Sequence, residues 1–333
     1  MHIGLIGAGR IGAFHASVLI QVPGVDALSI ADANPDRSAK LAADLGARSA
    51  PSAQALLDGG VDALVIAAAT SAHPELIQLG ADARLPTFCE KPLALDLEAA
   101  DMIIERVRRS GITLQIGFQR RFDAGYREAR RRVESGALGG LYVVRLATHD
   151  PEPPPPAYIP ASGGIFRDLH SHDFDIVRWV TGQEVEEVYA DGAVLADQTF
   201  ARYGDADTAV CVLRLTGGTL GIMSGTRRDP LGYDVRMELF GAADSVAVGM
   251  DSRMPLRSVE PGAPPPGPAA GYRDFIDRFG AAYRDELTTF VAVAQGLAPN
   301  PCSGADARAS LRAALAADRS RAEHRPVRVE EVS

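Results

Sequence analysis

Residues 7–12 read GAGRIG, and no other feature constrains this chain as much. A short apolar stretch, HIGLI at 2–6, leads into them, and a helical pattern follows to about Ile20. Strand, glycine turn and helix in that order open a βαβ unit. Gly7 suits the tight turn, Gly9 lets the backbone approach a pyrophosphate, and Gly12 lets the helix pack closely on the sheet. A pyrophosphate would rest on the helix start, where unpaired N–H groups and the dipole favour negative charge. Arg10 and Ile11, inside the loop, join the expected cofactor contacts. Asp32 closes the second strand 20 residues after Gly12, where a carboxylate meets the ribose hydroxyls of a dinucleotide. Such a carboxylate repels a 2′-phosphate. NAD is therefore expected over NADP, with Arg37 close by on the following helix.

Strand-like runs recur at 26–31, 62–68, 86–89 and 112–116, with helix-like stretches at 35–45, 72–83 and 96–109. Asn34-Pro35 and His73-Pro74 read as helix starts, since proline suits the first turn. This alternation predicts a doubly wound parallel sheet. After a helix near 123–135 the pattern changes. Strands at 141–148, 184–194, 208–215, 219–225, 235–240 and 245–248 follow one another through turns, and Thr216-Gly217-Gly218 signals a hairpin. The expected fold is α/β: an N-terminal Rossmann doubly wound sheet plus a C-terminal α+β domain with a large, mainly antiparallel sheet. The expected division is 1–120 for the dinucleotide and 121–333 for the substrate, with a last helix near 304–319 free to pack back on the first domain. Proline-rich stretches at 151–160 and 261–268 read as surface loops, and 326–329 as a closing strand.

A net charge of −9 argues against a nucleic-acid backbone as partner. The one basic run, Arg130-Arg131-Arg132, lies between Glu128 and Glu134 and reads as a solvated helix face. Cys89, Cys211 and Cys302 are far apart, which fits a reducing cytosol better than disulfides or zinc. No HExxH occurs, and His170 and His172 do not share a helix face, so no metal is expected. The apolar N-terminus lacks a basic leader, and no run of about 18 apolar residues suggests a membrane span. A soluble cytoplasmic protein is expected.

Two stretches carry titratable groups that composition does not explain. Thr87-Phe88-Cys89-Glu90-Lys91-Pro92 ends a strand, and ligands of open α/β sheets bind beyond the carboxyl ends of strands. Lys91 is thereby delivered to that end, and Pro92 biases it toward an extended backbone. Residues 163–175, GGIFRDLHSHDFD, crowd three aspartates and two histidines together. A helix over 166–180 would align Asp168, His172 and Asp175 on one face and turn His170 and Asp173 elsewhere. A carboxylate beside an imidazole sets its tautomer and basicity, which is what acid–base chemistry uses. The same residues also suit a structural role: Asp168 as a first-turn carboxylate and His172 as a hydrogen-bonded core histidine.

At this point the chain resembles the Gfo/Idh/MocA family of nicotinamide-dependent oxidoreductases, and within it the inositol 2-dehydrogenases. The resemblance covers essentially the whole chain and rests on GAGRIG (7–12), CEKPLALD (89–96), GFQRRFD (117–123), GGIFRDLHSHDFD (163–175) and RRDPLGYDVRMELFG (227–241). It implies a catalytic trio at Lys91, Asp168 and His172, with Glu90 and Lys91 beside the cofactor. Tyr233 matches a residue lining the polyol pocket, and Asp150, in the substrate-facing Thr148-His149-Asp150, joins the expected substrate contacts. Gln119 departs from the family, where Asn or Met is more familiar. The implied reaction is NAD-dependent oxidation of a secondary hydroxyl of a cyclic polyol, myo-inositol to 2-keto-myo-inositol first. Another sugar or polyol dehydrogenase or reductase, an NAD-dependent glycosidase and a non-enzymatic nucleotide-binding regulator stay open as alternatives. The resemblance also implies a homotetramer through the open sheet face of the second domain.

Overall fold

The computed structural model describes residues 1–262 and 270–333. The expected loop at 261–268 lies, beyond its first two residues, outside the described residues. The chain forms two compact units, Met1–Gln119 with Ala281–Ala309, and Arg120–Gly280 with Ser310–Ser333.

The first unit holds a six-stranded sheet of β1 (His2–Ile6), β2 (Ala27–Ala31), β3 (Arg48–Ser49), β4 (Ala63–Ile66), β5 (Thr87–Glu90) and β6 (Leu114–Gly117). Every pairing is parallel, and the order is β3-β2-β1-β4-β5-β6. β1, β2 and β4 are mostly apolar runs rather than alternating ones, and β5 and β6 are buried throughout although they carry Thr87, Glu90 and Gln115. The order reverses beside β1, so a crevice at the carboxyl ends of β1 and β4 is dictated by topology. Helices α1 (Arg10–Leu19), α2 (Pro35–Leu45), α3 (Ala53–Asp58), α4 (His73–Asp82) and α5 (Leu97–Ser110) connect the strands. Their ends carry written signals. Asn34 accepts the Asp36 N–H to cap α2, Asp96 accepts the Ala99 N–H to cap α5, and Gly46 and Gly111 end these helices in left-handed backbone. Residues 281–309 belong here because Leu287, Phe290 and Val291, spaced to share one helix face, pack among Ile3, Leu5, Ile30 and Phe88. Their backbone also joins the sheet edge, with Ile116 N–H donating to the Cys302 carbonyl at 2.9 Å.

The second unit opens with α6 (Ala124–Glu134) and holds a seven-stranded sheet. Its strands are β7 (Leu141–His149), β8 (Val185–Ala193), β9 (Thr208–Leu215), β10 (Leu220–Thr226), β11 (Asp234–Gly241), β12 (Ser245–Val248) and β13 (Val327–Arg328), in the order β12-β11-β7-β10-β9-β8-β13. Among the described residues, only the β7–β10 pairing of this sheet is parallel. The expected hairpin at Thr216-Gly217-Gly218 joins β9 to β10. In β9 burial alternates strictly, so one face packs on helices and the other lies open. Between β7 and β8 run α7 (Ile159–Ser162), α8 (Ile165–Asp168) and α9 (Ser171–Thr181). Two long helices, α10 (Phe275–Ala294) and α11 (Gly304–Glu323), each contribute to both units.

Candidate active site

In the first unit the three loop glycines meet three different demands. Gly7 has φ +106°, and a Cβ there would lie 2.4 Å from the Ala67 carbonyl oxygen. A Cβ on Gly12 would lie 1.9 Å from the carbonyl oxygen of Gly7, so the helix start depends on its absence. At Gly9 a Cβ would meet nothing within 4 Å. That open space stands at the head of α1, which has no side-chain cap and no acidic residue in its first turn. Its N–H groups therefore suit an anion, and the loop fits the pyrophosphate of NAD.

Asp32 lies beside this loop and is tied to it. Its Oδ2 accepts the Ala8 N–H at 2.7 Å, and Oδ1 accepts the Asn34 N–H at 2.8 Å. Arg37 Nη1 stands 3.5 Å from Oδ1, on an exposed side chain. Arg10 is exposed, and Ile11 is half-buried against the apolar core.

At the end of β5 the Glu90 side chain turns inward. Its Oε1 pairs with His15 Nε2 at 2.6 Å in a buried contact, and Oε2 accepts the Lys91 N–H at 3.2 Å. Lys91 is half-buried and precedes a cis bond to Pro92. Buried His73 pins the turn through Nδ1, 2.9 Å from the Pro92 carbonyl. Burial lowers the His73 pKa, against the pull of the carbonyls at its two ring nitrogens. A neutral imidazole there donates through one nitrogen only.

In the second unit the expected helix over 166–180 does not form. It breaks into α8, which ends at Asp168, and α9, which starts at Ser171. His170 occupies the break and is buried. Its Nδ1 pairs with Asp173 Oδ2 at 2.8 Å, its ring stacks on Phe166 at 5.9 Å, and its Nε2 edge abuts Gly225. The same network takes in Arg120, whose Nη1 donates to Asp173 Oδ1 at 2.5 Å and whose Nη2 donates to Thr148 at 3.1 Å. Burial alone would push the Asp173 carboxyl up, but Arg120 and His170 hold it below the ordinary range. Asp175 is a second correction. It is buried with Arg121, at 2.5 and 2.8 Å, and carries structure rather than an accessible proton site.

Asp168 has a different setting. Its Oδ1 accepts the Tyr158 hydroxyl at 2.9 Å, and its Oδ2 accepts Arg227 Nη2 at 2.7 Å. Arg227 also donates through Nη1 to Asp150 Oδ2 at 3.1 Å, so one buried guanidinium joins two of the expected site carboxylates. Burial and the Asp168 charge both push the Tyr158 phenol up, which keeps it a donor. His172 is the second residue of α9 and half-buried. Tyr233 is buried edge-on to Phe279. Burial pushes its phenol up against the Arg120 charge, with Asp150 and Asp173 adding to the rise. It too is a neutral donor.

Arg227 and Tyr158 are the residues that sequence reasoning passed over. Arg227 opens RRDPLGYD, but a basic residue at a strand end gives no sign of its partners. Tyr158 lies in the proline-rich stretch read only as a loop. His149, Asp229 and Asp234 bring ligand-type atoms within 4.8 Å of one another. Arg236 Nε, however, already donates to Asp234 at 2.8 Å.

Comparison with known proteins places both units. Residues 1–118 match a family model described as "Oxidoreductase family, NAD-binding Rossmann fold", and residues 126–247 match "GFO/IDH/MocA C-terminal domain". A myo-inositol dehydrogenase of Streptomyces leeuwenhoekii is 42% identical, over 96% of this chain and 97% of that protein. The crystal structure of a probable dehydrogenase from Thermotoga maritima superposes with a TM-score of 0.92 at 37% identity, covering 100% of both chains. A scyllo-inositol dehydrogenase from Lactobacillus casei, solved with bound NAD(H) and scyllo-inositol, gives a TM-score of 0.88 at 25% identity, covering 99% of both chains.

Proposed function

Because the chain belongs to the Gfo/Idh/MocA family of NAD-binding oxidoreductases, we propose that it oxidises a ring hydroxyl of a cyclic polyol, first of all myo-inositol to 2-keto-myo-inositol (scyllo-inosose). The observation that carries this reading is the pair of carboxylates, Asp168 and Asp150, bridged by the buried Arg227 guanidinium, in a chain with full-length relatives named as myo- and scyllo-inositol dehydrogenases. A ring of hydroxyls needs several acceptors and donors, and an unpaired buried one costs about 1–3 kcal/mol.

Residues 7–12 and Asp32 hold the dinucleotide, with Arg10, Ile11, Glu90 and Lys91 around it. NAD, when bound, would supply the hydride acceptor for the carbinol hydrogen. His172 is the general base that removes the hydroxyl proton. Lys91 donates a hydrogen bond to the same oxygen and stabilises the negative charge that develops there. Asp168, an acceptor, orients His172 and the substrate. Tyr233 donates to another ring hydroxyl, and Asp150 accepts from one.

The test is a panel of myo-inositol, scyllo-inositol, glucose and a simple secondary alcohol with NAD and NADP, followed by NADH absorbance. An inositol should give the highest kcat/KM. A simple alcohol matching the inositols would refute the polyol pocket, and glucose beating every inositol would make this a sugar dehydrogenase. Release of an aglycone without net NADH would make it a glycosidase.

The enzyme is further proposed to act in the cytoplasm as a homotetramer. No helix among the described residues is long and apolar enough to cross a membrane. The open sheet face carries Tyr189, Val210, Val212, Leu220 and Ile222, each at least 41% exposed, which is more apolar surface than a strand face left in water usually shows. Light scattering of the eluting enzyme should give four chains, and a monomer would refute this.

A further inference from the structure

Arg227 is 4% exposed and spends its two terminal nitrogens on two different carboxylates, Asp168 at 2.7 Å and Asp150 at 3.1 Å. A guanidinium fork usually grips one carboxylate with both arms. Here each carboxylate receives one arm. Asp168 also accepts the Tyr158 hydroxyl. The cluster brings together two carboxylates, one guanidinium and a phenol. A carboxylate offers about four lone-pair sites, so these two can accept ligand hydroxyls in addition to their protein donors. The two carboxylates also differ in access, since the Asp150 side chain is 22% exposed and that of Asp168 is 9% exposed. The backbone reinforces the link. Asp150 N–H donates to the Thr226 carbonyl at 2.8 Å, which places Asp150 beside the residue before Arg227.

We propose that Arg227 is the positioning and specificity residue of this site: it couples the accessible Asp150 to the buried Asp168, so that the two accept separate hydroxyls of one polyol. The proposal rests on the reading of Asp168 as part of the catalytic group. Arg227 acts through the two carboxylates and touches no reacting atom. Lysine is a poor replacement, because its ammonium lacks the rigid planar fork that sets the spacing of two partners.

The test uses the full chain with Arg227→Lys, Arg227→Gln and Asp150→Asn. Rates are measured on myo-inositol and on monodeoxy-inositols, beside thermal melting and NAD titration. Arg227→Lys should lower kcat/KM for myo-inositol roughly 10–100-fold, the range that a lost hydrogen bond to a charged group gives. It should also narrow the preference for myo-inositol over one monodeoxy analogue, with NAD affinity unchanged. Asp150→Asn should raise KM more than it lowers kcat. Combined with Arg227→Lys it should add less than its own effect, because both act through one network. Should Arg227→Gln not fold, the lysine variant and Asp150→Asn carry the test. A lower melting temperature with unchanged kcat, KM and selectivity would reduce Arg227 to a structural ion pair and overturn the proposal. Asp168→Asn separates the two levels. If it keeps normal kcat, the catalytic reading fails and the proposal with it. If it loses activity while Arg227→Lys does not, only the role of Arg227 falls.

Discussion

The glycine loop of the first unit and the Asp168 cluster of the second, the two proposed binding regions, are built in opposite ways, one by leaving atoms out and the other by bringing charge together. Around Gly7, Gly9 and Gly12 the working parts are backbone N–H groups and the space that a missing Cβ leaves. Around Asp168 they are side chains, Asp150 and Tyr158 from the preceding stretch and Arg227 from 59 residues further on. A backbone site can be written within six residues, although Gly7 also answers to the Ala67 backbone and the loop is tied to Asp32. A buried charge site depends on its surroundings entirely, since each unpaired charge carries its own desolvation cost.

Four experiments would break or sharpen this comparison, from the largest effect to the smallest. Lys91→Ala and His172→Ala should each cost about 10²–10⁴-fold in kcat, the usual range for a general acid or base, while NAD titrates normally. A near-normal kcat across the pH range in His172→Ala would assign the base elsewhere. Asp173→Asn breaks a buried pair without touching the proposed chemistry. It should lower stability by about 3–5 kcal/mol in urea unfolding, with activity per folded molecule largely kept. Equal stability with a collapsed kcat would put Asp173 in the active site instead.

Alanine at the glycines tests the other side. Gly12→Ala should cost about 1–3 kcal/mol, the usual penalty for overpacking, seen as a lower melting temperature. Gly9→Ala should melt normally yet bind NAD more weakly, because its Cβ enters open space. Identical behaviour of the two variants would remove the distinction between packing and ligand approach. The smallest effect is expected from Asp32→Ser, which should narrow the NAD preference by about tenfold, equivalent to about 1.4 kcal/mol. Equal kcat/KM for NAD and NADP in the unaltered enzyme would show that Asp32 does not discriminate.

The three aspartates of 163–175 show where reading the sequence stops. Their crowding is visible in the sequence, and so is the i, i+4 spacing of Asp168 and His172. Helical periodicity alone grouped Asp175 with them. The partners that separate the three, Arg120 for Asp173, Arg121 for Asp175 and Arg227 for Asp168, lie 53, 54 and 59 residues away along the chain. Arg120 and Arg121 are neighbours in GFQRRFD, yet nothing local to that motif shows that both are buried.

What the sequence determined by itself is the part governed by local rules. The glycine turn, the proline and Asx helix starts, the apolar strands of a two-faced parallel sheet and the alternating strands of the second unit depend on neighbours a few residues apart. Tertiary structure alone decided that residues 281–309 return to the first unit, that the helix breaks at His170, and that Asp168 shares its arginine with Asp150. The physical reason is the same each time. A buried apolar face or a buried charge takes its energy from whatever packs against it, and those partners are chosen by the fold rather than by adjacent sequence.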